Sequence, residues 1–287
     1  MRLAAVGDLH IRKNSQGALQ PMLSAVNDNA DVLLLCGDLT DYGLPEEAQI
    51  LAKELMAVRI PIVGVLGNHD YESGQEKEVC KILTGAGMHL LDGETVEING
   101  IGFAGAKGFV GGFGRGTLGP WGERAIKAFV QEAVDEAMKL ESALARLRTP
   151  QRVAILHYSP IRATVEGEPV EIMPYLGTSR LEEPLNRYPV NAVFHGHAHH
   201  GSPEGRTSSG IPVFNVAMPL LRAAFPDHAP VRIVEIPTAM DEGDISDDAS
   251  FIQTGTFSQT GTLSSTALSP GNRQPVSEQG LTTPRPS

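Results

Sequence analysis

Five short apolar runs along this chain each end at side chains that can bind a metal ion. The runs begin at Leu3, Leu33, Ile62, Val153 and Ala192. The candidate donors that follow them are Asp8, His10, Asp38, Asn68, His157, His197 and His199. Carboxylate, amide and imidazole donors without thiolates suit manganese, iron or zinc in a reactive site better than a cysteine-rich structural zinc site. The residue types therefore predict metal chemistry.

Seven donors are too many for one ion. If Asp38 bridges, each of two ions receives four protein ligands. Two ions about 3.5–4 Å apart can clamp the attacking and leaving oxygens of an in-line phosphoryl displacement, with a hydroxide held on the metals as the nucleophile. We therefore expect two divalent or trivalent ions of manganese, iron or zinc as cofactors.

The elements that must position these donors are predicted from the same runs. A short apolar run that stops at a turn residue is typical of a buried strand, and helical patterns over 17–30 and 45–58 separate the first three runs. Alternating strands and helices indicate a parallel sheet, in which ligands bind beyond the carboxyl ends of the strands. The Asn-Gly pair at 99–100 predicts a hairpin that joins strands over 94–98 and 101–104.

A glycine-rich segment over 108–122 precedes a long amphipathic helix predicted over 123–148. Its glycines lack the spacing of a P-loop or of a dinucleotide-binding motif, so we interpret the segment as a flexible, exposed loop. Three arginines are candidates for contact with a substrate phosphate, although for each a solvated charge is the simpler interpretation. They are Arg115, Arg162 and Arg222.

Composition divides the chain into two parts. The whole chain has 287 residues, of which 41% are hydrophobic and 20% charged, and this balance is typical of a globular domain. We predict a catalytic domain over 1–237 and a disordered low-complexity tail over 238–287, which is rich in Ser, Thr, Gly, Gln and Pro. The tail contains an imperfect six-residue duplication, 253–258 and 259–264.

Charge and cysteine content narrow the range of partners. The formal net charge of −11 opposes the non-specific attraction to phosphate backbones on which many nucleic-acid-binding proteins depend, so a small substrate is favoured and nucleic acid is disfavoured. Two cysteines cannot form a disulfide framework, and the first residues do not resemble a signal peptide. We therefore expect a cytoplasmic protein without a membrane partner. Nothing in the sequence indicates an oligomeric state.

The order of the motifs resembles that of the calcineurin-like metallophosphoesterase family. The family pattern is Asp-x-His, Gly-Asp-x-x-Asp, Gly-Asn-His-Asp/Glu, a later His, and Gly-His-x-His. This chain has matching residues at 8–10, 37–41, 67–70, 157 and 196–199, in that order. The resemblance spans residues 8–199 and implies an α/β fold, the family's four-layer α/β/β/α sandwich, with the metal site at the carboxyl ends of the strands.

The resemblance also implies roles for individual residues. One metal would take Asp8, His10, Asp38 and His199, and the other would take Asp38, Asn68, His157 and His197. His69 resembles the family's general acid, steered by Asp41, although Asp41 could simply cap a turn. His195 lies outside the family pattern and is interpreted as a structural residue. Tyr42 stands where the protein-phosphatase branch has a phosphate-holding arginine, which disfavours a Ser/Thr protein phosphatase.

These inferences predict a dinuclear metal-dependent hydrolase of small phosphomonoesters or phosphodiesters. One alternative is a nuclease of the DNA-repair branch, which the acidic net charge and the lack of a separate DNA-binding or capping domain disfavour. Another alternative is a non-catalytic metal-binding scaffold. The presence of His69 together with the full ligand set favours an enzyme over a scaffold.

Overall fold

The computed structural model describes residues 1–237, 254–258 and 263–265. Its strands are β1 (Arg2–Val6), β2 (Val32–Cys36), β3 (Ile62–Val65), β4 (Met88–Leu90), β5 (Thr95–Ile98), β6 (Ile101–Gly105), β7 (Gln151–Ile155), β8 (Ala192–His195), β9 (Glu204–Arg206), β10 (Pro212–Asn215), β11 (His228–Glu235), β12 (Thr254–Ser258) and β13 (Leu263–Ser265). Its α-helices are α1 (Gln20–Asn29), α2 (Pro45–Leu55), α3 (Glu76–Gly85), α4 (Arg124–Arg146), α5 (Glu182–Arg187) and α6 (Met218–Ala224).

The first sheet has the strand order β13-β12-β11-β1-β2-β3-β4. Its strands β1 to β4 pair in parallel, and the helices α1, α2 and α3 connect them. The predicted helices over 17–30 and 45–58 are therefore present. The first starts three residues later and ends one residue earlier than predicted, and the second ends three residues earlier. Both begin with a proline in the first turn, where the missing N–H has no intrahelical partner to lose.

The second sheet has the strand order β5-β6-β7-β8-β10-β9. The predicted hairpin is confirmed, because β5 and β6 pair antiparallel and Ile98 lies opposite Ile101. Both turn residues have a positive φ, 49° at Asn99 and 83° at Gly100, as a tight two-residue hairpin turn requires. The strands β6, β7 and β8 are parallel, so that the ends of β7 and β8 point to the same edge.

Three apolar layers hold the two sheets and their helices together. Successive residues of β1 point to opposite faces, since Leu3 and Ala5 pack against the second sheet whereas Ala4 and Val6 pack against the helices of the first. The outer face of the second sheet packs on α4 and α5. Strands buried on both faces explain the nearly unbroken apolar runs in the sequence. The predicted four-layer α/β/β/α sandwich is confirmed.

The glycine-rich segment over 108–122 differs from its prediction. Its first half is mostly buried, and its backbone binds a neighbouring loop: Gly111 N donates to Pro174 O at 2.9 Å and Gly112 N donates to Gly177 O at 2.9 Å. The exposure predicted for the segment holds only for the following turn, Gly114–Gly116, and for its end, Pro120–Gly122. The glycines allow this close backbone approach, which a composition-based interpretation as a flexible loop overlooks.

Two segments of the predicted disordered tail are strands: β12 pairs antiparallel with β11, and β13 pairs antiparallel with β12 at the edge of the first sheet. They overlap the duplicated six-residue sequence at 254–258 and 263–264. The rest of the predicted tail, from residue 238 onward, lies outside the described residues, and its predicted disorder stays a prediction. Within the part of the chain that the structure describes, every helix is too short or too polar to span a bilayer.

Candidate metal centre

The seven predicted donors meet at the carboxyl ends of five strands. Those of β1, β2 and β3 supply Asp8, His10, Asp38 and Asn68, and those of β7 and β8 supply His157, His197 and His199. The donors form three groups, and within each group the ligand atoms lie within 4.8 Å of one another. The groups are Asp8–His10–His199, His10–Asp38–His69 and Asp38–His157–His197. Asp38 belongs to two of these groups and therefore lies between them.

The backbone at these strand ends is held in unusual conformations. Four of the predicted donors, Asp8, His10, Asp38 and His197, have φ between 45° and 70°, in the left-handed region that non-glycine residues seldom adopt. Two motif glycines let the strand ends approach each other. A Cβ at Gly67 would overlap the Asp38 carboxylate, and a Cβ at Gly196 would overlap that of Asp8. The surrounding fold therefore imposes strain that aims the donors at one point.

The group nearer the surface is built on Asp8, a carboxylate that is 1% exposed. Its Oδ1 lies 2.9 Å from His199 Nε2, and its Oδ2 accepts a 2.9 Å hydrogen bond from the backbone N–H of His197. The His10 ring lies 5.6 Å from the His199 ring, measured between centroids. Both ring nitrogens of His10 are buried without a hydrogen-bond partner in the described structure.

The deeper group surrounds Asp38 and His157, whose side chains are almost fully buried. His157 Nδ1 lies 3.0 Å from Cys36 O, and because a carbonyl can only accept, this nitrogen carries the proton. In the neutral ring Nε2 then bears a lone pair. It faces two further acceptors, Asp38 Oδ1 at 3.3 Å and Asn68 Oδ1 at 2.9 Å.

Three converging acceptors repel each other unless a cation or a proton lies between them. In His10, Nδ1 lies 3.3 Å from Asp41 Oδ1, whereas Nε2 is buried without a hydrogen-bond partner in the described structure, which is costly unless a cation or a donor pairs with it. The donor set contains only oxygen and nitrogen, which suits manganese, iron or zinc. The residues present therefore fit a metal centre.

Burial pushes the acids and bases of the site toward their neutral forms. Burial, followed by the charge of Asp8, raises the pKa of Asp38 well above its usual value. Burial lowers the pKa of His157 well below its usual value and that of His197 to about 3. His199 is the exception, because its hydrogen bond with Asp8 raises its pKa. Most of the imidazoles are therefore unprotonated and ready to bind a cation.

The structure corrects how Asp41 relates to His69. His69 Nδ1 lies 2.7 Å from the backbone carbonyl of Asp41, so the carbonyl, rather than the predicted carboxylate, orients the ring. The Asp41 carboxylate instead accepts from Arg12 Nε at 2.7 Å and lies 3.3 Å from His10 Nδ1. Sequence spacing brings residue 41 to the correct place, but it does not show which of its oxygens faces the histidine.

Sequence reasoning missed three contributors. Asp70 is fully buried, and its carboxylate accepts from the backbone N–H groups of Leu39, Thr40 and Gly67, which ties two ligand-bearing loops together. The Tyr175 carbonyl lies 3.1 Å from His197 Nε2 and leaves Nδ1 as the free nitrogen of that ring. Arg12 contacts Asp41, as described above. Only Asp70 had a signal in the sequence, as the last residue of Gly-Asn-His-Asp.

The remaining candidates lie outside the three groups. His195 is fully buried, and its Nε2 lies 2.8 Å from Thr164 Oγ1, in agreement with a structural role. Arg162 pairs with Glu166 at 3.9 Å, and Arg222 lines a groove beside α1. Arg115 lies on the exposed turn of the glycine-rich segment. Within the described chain, no hydrogen bond or ion pair joins these arginines to a predicted metal ligand.

Comparisons with known proteins concern the family and the fold of this chain. The sequence profile of the calcineurin-like phosphoesterase family matches residues 1–201. The phosphopantetheinyl hydrolase PptH from Mycobacterium tuberculosis has a similar fold, with a TM-score of 0.60 at 14% identity over 83% of this chain and 96% of PptH. A 5'-nucleotidase from Staphylococcus aureus, named as putative, has a TM-score of 0.50 at 14% identity over 92% of this chain and 52% of its own.

No curated protein matches the sequence. At 14% identity the two similar structures establish the fold alone, whereas the family profile covers more than half of the chain. The chain therefore belongs to the calcineurin-like phosphoesterase family, whose members are metal-dependent phosphoester hydrolases.

Proposed function

We propose that this protein hydrolyses small phosphoric esters with two metal ions that share Asp38. The observation that carries the proposal is the position of Asp38, whose carboxylate joins His10 in one group of donors and joins His157 and His197 in another. One ion would bind Asp8, His10, Asp38 and His199, and the other would bind Asp38, Asn68, His157 and His197. When bound, such ions polarise the phosphoryl group and activate the attacking water.

The protein's own part in the reaction begins with rigid placement. The Asp38 carboxylate also accepts from the His69 backbone N–H at 2.9 Å, so the bridging residue and the proposed acid are tied together. Tyr158 packs against two proposed ligands, with its ring centroid 5.3 Å from that of His157 and 4.5 Å from that of His197. These contacts keep the donors in place. Donors that are already in position need little reorganisation energy during the reaction.

His69 is the proposed general acid. Its Nδ1 donates to the Asp41 carbonyl, which leaves Nε2 to carry and release a proton. Nε2 lies 4.0 Å from Asp38 Oδ2, next to the proposed bridging position, and the side chain is 41% exposed. A substrate entering from solvent can therefore reach this nitrogen with its leaving oxygen.

The proposed substrate is small and the proposed compartment is the cytoplasm. The net charge of −11 opposes binding to long nucleic acids. Both cysteines are free thiols, as is usual in a reducing compartment. Manganese, iron and zinc each suit the mixture of imidazole and carboxylate ligands.

A panel of phosphate esters tests this proposal. Protein stripped with a chelator and reloaded separately with Mn²⁺, Fe²⁺ or Zn²⁺ is assayed on nitrophenyl and alkyl monoesters, on diesters including a phosphopantetheinyl ester, and on single-stranded DNA. We expect about two metal equivalents by elemental analysis and turnover of a small ester. Turnover of DNA alone would favour the nuclease. Two bound metals without any turnover would favour the scaffold.

A further inference from the structure

Arg12 is an exposed residue next to Asp41 and has no place in the family motifs. It follows His10 by two residues, and the segment that carries both runs alongside the segment after β2. His10 N donates to Asp38 O at 3.0 Å, Ile11 N to Leu39 O at 3.1 Å, and Asp41 N to Ile11 O at 3.1 Å. These backbone bonds fix Arg12 beside Asp41.

The Arg12 side chain is held at one edge only. Its Nε donates to Asp41 Oδ2 at 2.7 Å, and this carboxylate is 8% exposed whereas the arginine side chain is 61% exposed. Within the described residues, neither terminal nitrogen of the guanidinium has a hydrogen bond or an ion pair. A buried carboxylate thus anchors an exposed cation whose remaining N–H groups are free.

The anchor also connects the cation to the metal centre. The second oxygen of Asp41 lies 3.3 Å from Nδ1 of His10, a proposed ligand. The same residue presents its carbonyl to His69, the proposed acid. A single residue therefore adjoins the cation, one proposed ligand and the acid, so the guanidinium lies beside the residue that contacts both of them.

We propose that Arg12, positioned by Asp41, binds the terminal oxygens of the substrate's phosphate. The inference rests on the proposed function, since it assigns a binding role within that site. A guanidinium is a planar fork that matches phosphate oxygens with two parallel hydrogen bonds, and anchoring it at Nε reduces the entropy that it loses on binding. A phosphomonoester dianion, which carries three terminal oxygens and more charge, gains more from this contact than a diester does.

The first test measures the binding of inorganic phosphate to the metal-loaded protein by calorimetry. Loss of a charge-assisted pair of hydrogen bonds is expected to raise the Kd of Arg12→Ala about 10- to 100-fold. The matched control is Arg59→Ala, because Arg59 is also an exposed arginine paired with an aspartate, Asp28, but it precedes β3 at the opposite edge of the sheet. The control should bind phosphate like the wild type.

The second test measures kcat/KM on a monoester and on a diester with the same leaving group. Arg12→Ala should lose more on the monoester, chiefly through KM, and Arg12→Lys should recover only part of the loss, because one ammonium cannot contact Asp41 and hold two phosphate oxygens. Metal content should equal that of the wild type. If Arg12 only stabilised the loop, kcat/KM would fall equally on the monoester and the diester.

Three results would overturn the assignment: equal phosphate affinity in Arg12→Ala and Arg59→Ala, full recovery in Arg12→Lys, or a loss of metal that accounts for the whole effect. The outcome is separable from that of the proposed function. If the wild type hydrolyses no ester but still binds phosphate more tightly than Arg12→Ala, the hydrolase proposal fails while Arg12 keeps its binding role.

Discussion

The two sheets contribute different chemistry to one site. The first sheet supplies two carboxylates and an amide from the ends of β1, β2 and β3, and His10 is its only imidazole among the proposed ligands. The second sheet supplies three imidazoles from the ends of β7 and β8. Burial, followed by the charge of Asp8, raises the pKa of Asp38 on the first side, whereas burial lowers the pKa values of His157 and His197 on the second.

The first side supplies crowded negative charge, and the second side is nearly neutral. Together they offer a mixed set in which the carboxylates supply charge and the imidazoles supply unprotonated nitrogen. The same difference gives the metal-free protein two opposite responses to pH. Acid charges the buried imidazoles at a cost, while it relieves the repulsion among the carboxylates.

The largest effect is expected from Asp38→Asn, which removes the charge shared by both sides. A neutral amide cannot bridge two cations as a carboxylate does, so we expect metal content to fall and turnover to be abolished. Elemental analysis and an ester assay measure both. Asp28→Asn, at an exposed position on α1, is the matched control. Two metal equivalents and normal turnover in Asp38→Asn would refute the bridging role.

His69→Ala should produce the next largest effect, and this effect should depend on the leaving group. An alkoxide needs a proton to leave and a nitrophenolate does not, so we expect about a 10²–10⁴-fold loss of kcat/KM on alkyl esters and a small loss on nitrophenyl esters. His89→Ala, at an exposed histidine of β4, is the control. Equal losses on both esters, with metal retained, would exclude the acid role.

Asp41→Asn should have a smaller effect that does not depend on the leaving group. The substitution keeps the backbone carbonyl that contacts His69 but weakens the anchor of Arg12. We expect a loss of about tenfold in kcat/KM, the size of one charge-assisted interaction, in equal measure on alkyl and nitrophenyl esters. A loss confined to alkyl esters would show instead that the carboxylate orients the acid.

His195 offers a test of stability on the histidine-rich side. Burial lowers its pKa from 6.5 to about 4, so the unfolded chain takes up this proton at a higher pH than the folded one. The stability that it contributes is complete above pH 6.5 and is lost as the pH falls toward 4. The loss amounts to about 3 kcal/mol for this residue.

Urea unfolding of the metal-free wild type and of His195→Asn between pH 7 and 4 isolates this loss as a difference of about 3 kcal/mol between the two proteins. We expect His195→Asn to be less stable than the wild type at neutral pH but to lose less stability with acid. The same pH slope in both proteins would mean that other groups, and not His195, take up the protons.

Much of the architecture could be predicted because it depends on local patterns. The apolar runs, the helical periodicity between them and the Asn-Gly turn are properties of neighbouring residues, and the strands, helices and hairpin follow them closely. The glycine-rich segment over 108–122 could not be predicted in this way. Its burial depends on backbone bonds to a loop more than 60 residues away in sequence, and composition carries no information about such pairing.

By itself, the sequence determined which donors are available, their order along the chain and their positions at the ends of strands. These properties depend on residue type and on the side-chain periods of two in a strand and 3.6 in a helix. Only the tertiary structure decided how the donors pair across the two sheets. It also decided that Asp41 offers its carbonyl to His69 and its carboxylate to Arg12, since residues far apart in sequence meet only when the sheets pack. The orientation of side chains that are far apart in sequence depends on how the sheets pack, and a local sequence pattern does not predict that packing.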